Sequence, residues 1–307
     1  MSEKRKHTAD ELWVAGRSEK WIQAYSILCS AILVRKPDVT FPYPMSFDTF
    51  QSLIDAAVCE IPFYTALNPI CRFNYDEHGY VTDATFEYLD DLDQIEKINQ
   101  QTSDIADEIV SRTEDFPDDW TKVAAFAHYL VTTSEVGPWP LPEGLFDLDS
   151  DISDDERRRA IRELIRAQSA AGPLIDHRSV CAGYAKAMAM LCGRADIECY
   201  VIAGNHGEYG GTKYSKYHHN WNMVVLDGKK YYLDLVLSKN NISRPEDGKM
   251  YMPLLILDED LKSYGYRPWL RPFAKTGHNE RAIANRWAAY KDQASMSSTG
   301  TPALKAS

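Results

Sequence analysis

The stretch that most constrains the fold is residues 219–237, where two apolar runs flank Asp227-Gly228. An Asp-Gly pair between two such runs is a strong signal for a tight β-hairpin turn. In a two-residue turn Leu226 pairs with Lys229, and each further step on one strand is matched by a step on the other. If the return strand runs on to Leu237, this register sets His219 opposite Val236.

The same register has a chemical consequence, because it places His219, Trp221 and Asp234 on one face of the hairpin. His219 and Asp234 become diagonal neighbours, about 7–8 Å apart at the backbone, and their side chains can meet. Asp234 lies inside an apolar run, where a carboxylate needs a partner, although an exposed strand position is the simpler alternative. We therefore expect Asp234 to orient the imidazole of His219.

A second feature is the run of small and helix-forming residues at 181–192, which predicts a helix that ends near Gly193. Cys181 then lies at or just before the first helical turn. Unpaired N–H groups and the positive end of the helix dipole favour a thiolate there. The alternative is an ordinary buried cysteine in a core helix.

Cys181, His219 and Asp234 together provide a nucleophile, a base and an orienting acid, which is a complete set for acyl transfer. The sequence does not by itself bring Cys181 close to His219. His218 points away from His219 on a strand, and the six cysteines contain no C-x-x-C pair. We therefore predict neither a metal site nor another cofactor.

Residues 204–217 contain four glycines just before His219 and predict a flexible flap beside a cleft. The segment contains no phosphate-binding motif. Tyr209, Tyr214 and Tyr217, with Trp221 on the hairpin, are candidate substrate contacts. Local packing is the alternative for the tyrosines.

Composition and charge limit the partners. The formal net charge is −11 and no strong basic patch is visible, which argues against a nucleic-acid partner. The longest apolar stretch, near residues 25–34, is too short to cross a bilayer, so no membrane partner is expected. The charged first residues lead into no signal-peptide core, so we expect a cytoplasmic protein, or export without a cleavable signal. A protein or peptide substrate is the expected partner.

The rest of the chain predicts three regions. Residues 1–115 form a mainly helical N-terminal region with helices at 9–35, 47–57 and 89–113 and a small strand pair within 72–88. Residues 116–270 form the core with the candidate site, including helices at 120–133 and from Ser153 to about Ala170. Residues 271–307 form a C-terminal helix and a disordered tail.

Several segments between about residues 120 and 237 occur in an order that resembles a known family, the transglutaminase-like superfamily of papain-type thiol enzymes in its bacterial branch. The segments are Trp120-Thr121-Lys122-Val123 with His128-Tyr129-Leu130-Val131, Ser169 to Leu174, Val180-Cys181 with Gly183-Tyr184-Ala185, Ile197 to Val201, His219 with Trp221-Asn222, and Asp227-Gly228-Lys229 with Asp234.

The resemblance implies an α+β fold in which a central helix carries the cysteine and packs on an antiparallel sheet. It implies Cys181 as nucleophile, His219 as general base and Asp234 as its partner. The expected function is thiol-dependent acyl transfer on a peptide amide or a glutamine carboxamide through a thioester. Hydrolysis by a protease or deamidase is preferred over transamidation, because water is always present. The alternative is a non-catalytic binding or scaffolding module that keeps the fold.

Overall fold

The computed structural model describes residues 18–137, 141–147, 149–206, 219–240, 255–257, 259–261 and 263–270. The helices are α1 (Glu19–Leu33), α2 (Phe47–Glu60), α3 (Leu92–Ser111), α4 (Asp119–Thr133), α5 (Asp154–Ala167), α6 (Cys181–Arg194) and α7 (Leu235–Asn240), with a π-helical turn at Gly172–Asp176. The strands are β1 (Asp38–Met45), β2 (Arg72–Tyr75), β3 (Val81–Thr85), β4 (Glu135–Val136), β5 (Arg178–Ser179), β6 (Cys199–His206), β7 (His219–Leu226), β8 (Lys229–Leu233), β9 (Leu255–Leu257) and β10 (Tyr266–Leu270).

The largest described sheet has the strand order β10-β6-β7-β8-β9, and all its neighbouring strands are antiparallel. The β7–β8 hairpin turns at Asp227-Gly228, with both residues at positive φ, and its register runs from Leu226 opposite Lys229 to Asn222 opposite Leu233. The predicted turn and register are confirmed over this range. The turn forms here because Asp227 and Gly228 tolerate the left-handed conformation that it requires.

The expected continuation of the return strand to Leu237 is wrong. Strand β8 ends at Leu233, and helix α7 begins at Leu235. Asp234 Oδ1 accepts hydrogen bonds from the backbone N–H groups of Val236 and Leu237, and this capping starts a helix where the apolar pattern suggested a strand. His219 therefore has no strand partner on the β8 side, and on the other edge of β7 it pairs with Gly204 of β6.

Helix α6 lies at the centre of the fold. It packs on β6 and β7 with one side and on α3 and α4 with the other, so it is buried along most of its length. The expected α+β class, with the cysteine-bearing helix on an antiparallel sheet, is confirmed. The core around α6 includes Phe126, Leu130, Tyr184, Met188, Leu191, Val224 and Leu233.

A second core lies in the N-terminal part, where α1 and α2 pack with the antiparallel sheet β1-β3-β2. The predicted strand pair and helices are confirmed within the described residues, with Ser46 as the cap of α2. Residues 9–17 of the first predicted helix and the predicted tail at 271–307 lie outside the described residues. Helix α2 reaches β6 and α6, so the N-terminal part borders the cysteine-bearing helix.

Two helix ends differ from the expected ones. Helix α6 continues through Gly193 to Arg194, and α5 ends at Ala167 with Gln168 as its C-cap, before the π-helical turn at Gly172–Asp176. The proposed division at residues 115 and 270 stays a prediction. No helix of the described residues combines the length and apolar character needed to cross a membrane.

Candidate active site

Cys181 is the first residue of α6 and is half-buried. The preceding residue, Val180, takes extended backbone angles and offers no side chain to cap the helix. The N–H groups of the first turn therefore face the neighbourhood of the thiol without a side-chain acceptor from the cap. The predicted position at a helix start is confirmed.

His219 and Asp234 are in direct contact. The imidazole Nε2 donates a hydrogen bond to Asp234 Oδ2 at 2.5 Å, and the side chains are only 12% and 4% exposed. The contact forms although Asp234 is not part of β8, because the residue lies at the junction between β8 and α7. The predicted hydrogen bond between the two side chains is confirmed.

His219 also forms a hydrogen bond with the Cys181 side chain, so the imidazole lies between the thiol and the carboxylate. Burial alone would lower the pKa of His219, but the hydrogen bonds and charges of Asp234 and Cys181 outweigh it and raise the pKa to about 10. The ring therefore favours the imidazolium form at neutral pH.

The Asp234 carboxylate has further partners. Besides the two N–H groups at the start of α7, the hydroxyl of Tyr266 donates to Oδ2 at 3.0 Å. Burial would raise the pKa of Asp234, but the hydrogen bond and charge of His219, with the N–H of Leu237 and the Tyr266 hydroxyl, hold it below its ordinary value. Asp234 is thus a buried anion with its charge matched by donors.

Trp221, which the predicted register placed on the same hairpin face as His219, packs beside the histidine. The two rings stack with centroids 5.9 Å apart, and Tyr266 covers the indole from another side at 5.0 Å. Trp221 is only 1% exposed, so here it supports the imidazole and shields it from water. Its predicted contact with substrate would require this ring to be uncovered, and that contact stays a prediction.

Tyr209, Tyr214 and Tyr217 lie outside the described residues, and so does His218. The substrate contacts predicted for the three tyrosines therefore stay predictions. Across the described part of the chain, no group of three or more His, Cys, Asp or Glu side chains is arranged to hold a metal ion.

Tyr266 and Asn222 were not assigned roles from the sequence. Tyr266 comes from β10 at the far edge of the sheet, so no local pattern connects it to Asp234. Asn222 is buried in β7, and its Nδ2 donates to the backbone oxygens of Ala185 in α6 and Tyr200 in β6 at 2.8 and 3.3 Å. A polar residue within the apolar β7 run was a signal for this tie between helix and sheet.

No protein-family model matches the chain, and no curated protein matches it. Among solved structures, the chain is similar to one described as "Crystal structure of a TGase", with 12% identity and a TM-score of 0.33, over 74% of this chain and 64% of that one. It thus spans slightly less than two thirds of that protein.

The chain is also similar to a structure described as "a Putative Cysteine Protease from Cytophaga hutchinsonii", with 11% identity and a TM-score of 0.30, over 62% of this chain and 67% of that one. Both descriptions name kinds of protein that the sequence motifs resemble. At these TM-scores the likenesses carry nothing about function.

Proposed function

We propose that the protein is a thiol enzyme that transfers the acyl group of an amide, with Cys181 as nucleophile, His219 as general acid and base, and Asp234 as the residue that orients His219. The observation that carries the proposal is the position of the imidazole, which is hydrogen-bonded to Asp234 and to Cys181 at a helix start. Such a constellation is recognised by geometry and roles rather than by sequence position.

In the first half of the reaction, Cys181 Sγ attacks the amide carbonyl while the thiol proton resides on His219. The negative charge that develops on the carbonyl oxygen is stabilised by N–H groups of the first turn of α6, which have no side-chain acceptor from the cap. His219 then gives its proton to the leaving amine. The carbon–nitrogen bond breaks and a thioester to Cys181 remains.

In the second half, a nucleophile attacks the thioester, gives its proton to His219 and releases the thiol. Water gives hydrolysis, and an amine gives transamidation. We favour hydrolysis because water needs no binding site of its own. The raised pKa of His219, about 10, supports a stored proton at neutral pH for the departing amine.

The test compares Cys181→Ala with the wild type on a mixture of glutamine-containing peptides, with released ammonia and new amino termini as readouts. We expect the variant to lose activity and keep its fold, because the thiol is half-buried at a helix start and Ala suits that position. The control is Cys29→Ala, which removes a thiol from the N-terminal core and should leave the rate unchanged. An unchanged rate in Cys181→Ala would sink the mechanism.

Iodoacetamide labelling distinguishes the enzyme from a non-catalytic module. An activated thiol predicts preferential labelling of Cys181 near neutral pH. Slow and uniform labelling of all six cysteines supports the module instead.

A further inference from the structure

A cavity of about 280 Å³ lies beside the candidate active site, between the N-terminal part and the α6 and β6–β7 layer. Its wall includes Ala182 and Asn220, which directly follow Cys181 and His219 in the chain. Most of its surface is apolar, with Ile54, Val58 and Phe63 among the contributing side chains. A site of this kind, apolar with few polar groups, is typical of small-molecule or side-chain binding.

Lys186 is the unusual group in this wall. It lies on α6, faces the cavity and is only 5% exposed. Among the described residues its ammonium group has no hydrogen-bond acceptor and no carboxylate partner. Lysine is almost never buried to this degree without such a partner, because an isolated charge is costly to remove from water.

The other titratable groups of the cavity do not supply the missing counter-charge. Burial raises the pKa of the Cys59 thiol and that of the Cys71 thiol, so both are neutral at neutral pH. Asp55 is half-buried on α2, where it accepts a hydrogen bond from Gln51 at 2.9 Å, and its charge acts on Cys59. The Cys181 thiolate of the proposed mechanism also acts on Lys186 and raises its pKa, but Cys181 is not among the residues that line the cavity.

We propose that this cavity binds a carboxylate on an apolar stem, with Lys186 as its charge partner, and that it thereby selects acidic substrates for the neighbouring thiol. The selection of substrates rests on the proposed function, whereas the binding of the carboxylate does not. Among the described residues that line the cavity, Lys186 supplies one ammonium group and there is no arginine, which matches one carboxylate rather than a more highly charged phosphoryl group. The apolar wall matches the stem.

The titration of Lys186 supports this assignment. Burial lowers its pKa to about 8, so the group is still mainly charged at neutral pH. A bound carboxylate would favour the protonated form further. Binding should therefore weaken as the pH rises above about 8, because the free protein then loses the ammonium charge.

The first experiment measures binding in the Cys181→Ala protein, where no reaction interferes. Hexanoate is compared with its neutral counterpart hexanamide by titration calorimetry. We expect hexanoate to bind about tenfold more tightly, with the preference lost in the double variant that adds Lys186→Met. The matched control adds Lys230→Met, which removes an exposed lysine from β8 and should keep the preference.

Equal binding of hexanoate and hexanamide, or a preference that survives Lys186→Met, would overturn the proposal. If the Met variant does not fold, the pH dependence decides, since it needs no substitution at Lys186. Hexanoate affinity that stays constant between pH 7 and pH 9.5 would contradict a role for an ammonium group with a pKa of about 8.

The second experiment uses the wild-type enzyme and compares kcat/KM for glutamine peptides that carry an internal glutamate, a free C-terminal carboxylate, or neither. A preference for the peptide with the internal glutamate supports binding of an acidic side chain in the cavity. A preference for the peptide with the free carboxylate supports binding of a chain terminus there. Lys186→Met should reduce either preference about tenfold relative to the neutral peptide. Because ratios are compared, any effect of Lys186 on Cys181 itself cancels.

The two proposals can fail separately. Activity that persists in Cys181→Ala removes the proposed function but leaves the hexanoate result to judge the cavity. An active enzyme that depends on Cys181 but shows no acid preference removes the cavity proposal alone.

Discussion

At the scale of single residues, the most firmly held group of the site is the Asp234 carboxylate. It accepts hydrogen bonds from His219, from the N–H groups of Val236 and Leu237, and from the hydroxyl of Tyr266. Three of these four donors do not belong to the histidine. The carboxylate therefore keeps its position without help from His219 and can impose an orientation on the ring.

Asp234→Asn tests this orienting role. The amide keeps the size of the side chain but loses the charge that holds the pKa of His219 at about 10, so that pKa should fall toward its ordinary value. We expect kcat to fall by about 10³- to 10⁴-fold, with the alkaline limb of the pH–rate profile moved to lower pH.

The control for this substitution is Asp227→Asn, the same change in the turn of the same hairpin, where Asn also tolerates positive φ. Asp227→Asn should leave the pH–rate profile unchanged. A near-normal rate in Asp234→Asn would leave only a dyad of Cys181 and His219.

Sequence reasoning found the residues that have a local signal. The Asp-Gly turn predicted that His219 and Asp234 meet, and helical spacing predicted Cys181 at a helix start. Tyr266 and Lys186 had no such signal. Tyr266 joins the site from a distant strand, β10. Lys186 is buried only because α2 packs against α6. Both depend on tertiary contacts that a single sequence does not specify.

At the scale of secondary-structure elements, the start of α6 is fixed by close backbone contact. A Cβ added to Gly183 would lie 2.2 Å from the backbone oxygen of Ala167 and from Ser179 Oγ, and 2.8 Å from the backbone oxygen of Ser169. Side chains cannot approach this closely, so only glycine allows the helix to dock here. This docking sets the position of Cys181, two residues earlier.

Gly183→Ala should therefore move the thiol. We expect a loss of about 1–3 kcal/mol in the free energy of unfolding, because the overpacked helix start must shift. We also expect slower labelling of Cys181 by iodoacetamide, because the sulfur moves away from His219. Thermal unfolding and mass spectrometry of the labelled protein measure the two effects.

Gly79→Ala is the control for this substitution. Its Cβ would meet nothing within 4 Å, although its φ of +80° carries a backbone cost. It should lower stability without changing the labelling of Cys181. Equal labelling of Cys181 in wild type and Gly183→Ala would mean that the helix start does not position the thiol.

The end of β8 shows where pattern reasoning about elements fails. The apolar run within residues 229–237 predicted one continuous strand, but the side chain of Asp234 caps a helix and ends the strand. A capping contact of one residue thus outweighs the preference of the following apolar residues for a strand. The predicted contact between His219 and Asp234 still forms because Asp234 occupies the junction itself.

At the scale of the whole molecule, the charges of the site affect stability in opposite directions as the pH changes. The pKa of His219 is raised to about 10, so its contribution is complete below its unfolded value near 6.5 and is lost as the pH rises toward 10. The pKa of Lys186 is lowered from 10.5 to about 8, so the unfolded chain holds this proton more tightly. Between pH values of about 8 and 10.5, the free energy of unfolding therefore increases with pH because of Lys186.

Comparison of Lys186→Met with the wild type isolates the effect of Lys186 on the free energy of unfolding. At pH 7 the variant should be more stable by about 1–3 kcal/mol, because it keeps the apolar stem and removes a buried charge. The difference should narrow toward pH 10.5, where lysine is neutral in both states. Chemical denaturation at several pH values measures this difference in the free energy of unfolding, with Lys230→Met as the control. A difference that does not change with pH would contradict the expectation.

The hydrogen bond from the Tyr266 hydroxyl to Asp234 also has a consequence for the synthesis of the protein. During synthesis Cys181, His219 and Asp234 leave the ribosome before β10, which covers Trp221 and adds the last donor to the carboxylate. A growing chain shorter than 266 residues therefore carries Cys181 and His219 before Asp234 has its full set of hydrogen-bond donors. The contacts that support the candidate site are complete only when the nascent polypeptide has passed Tyr266.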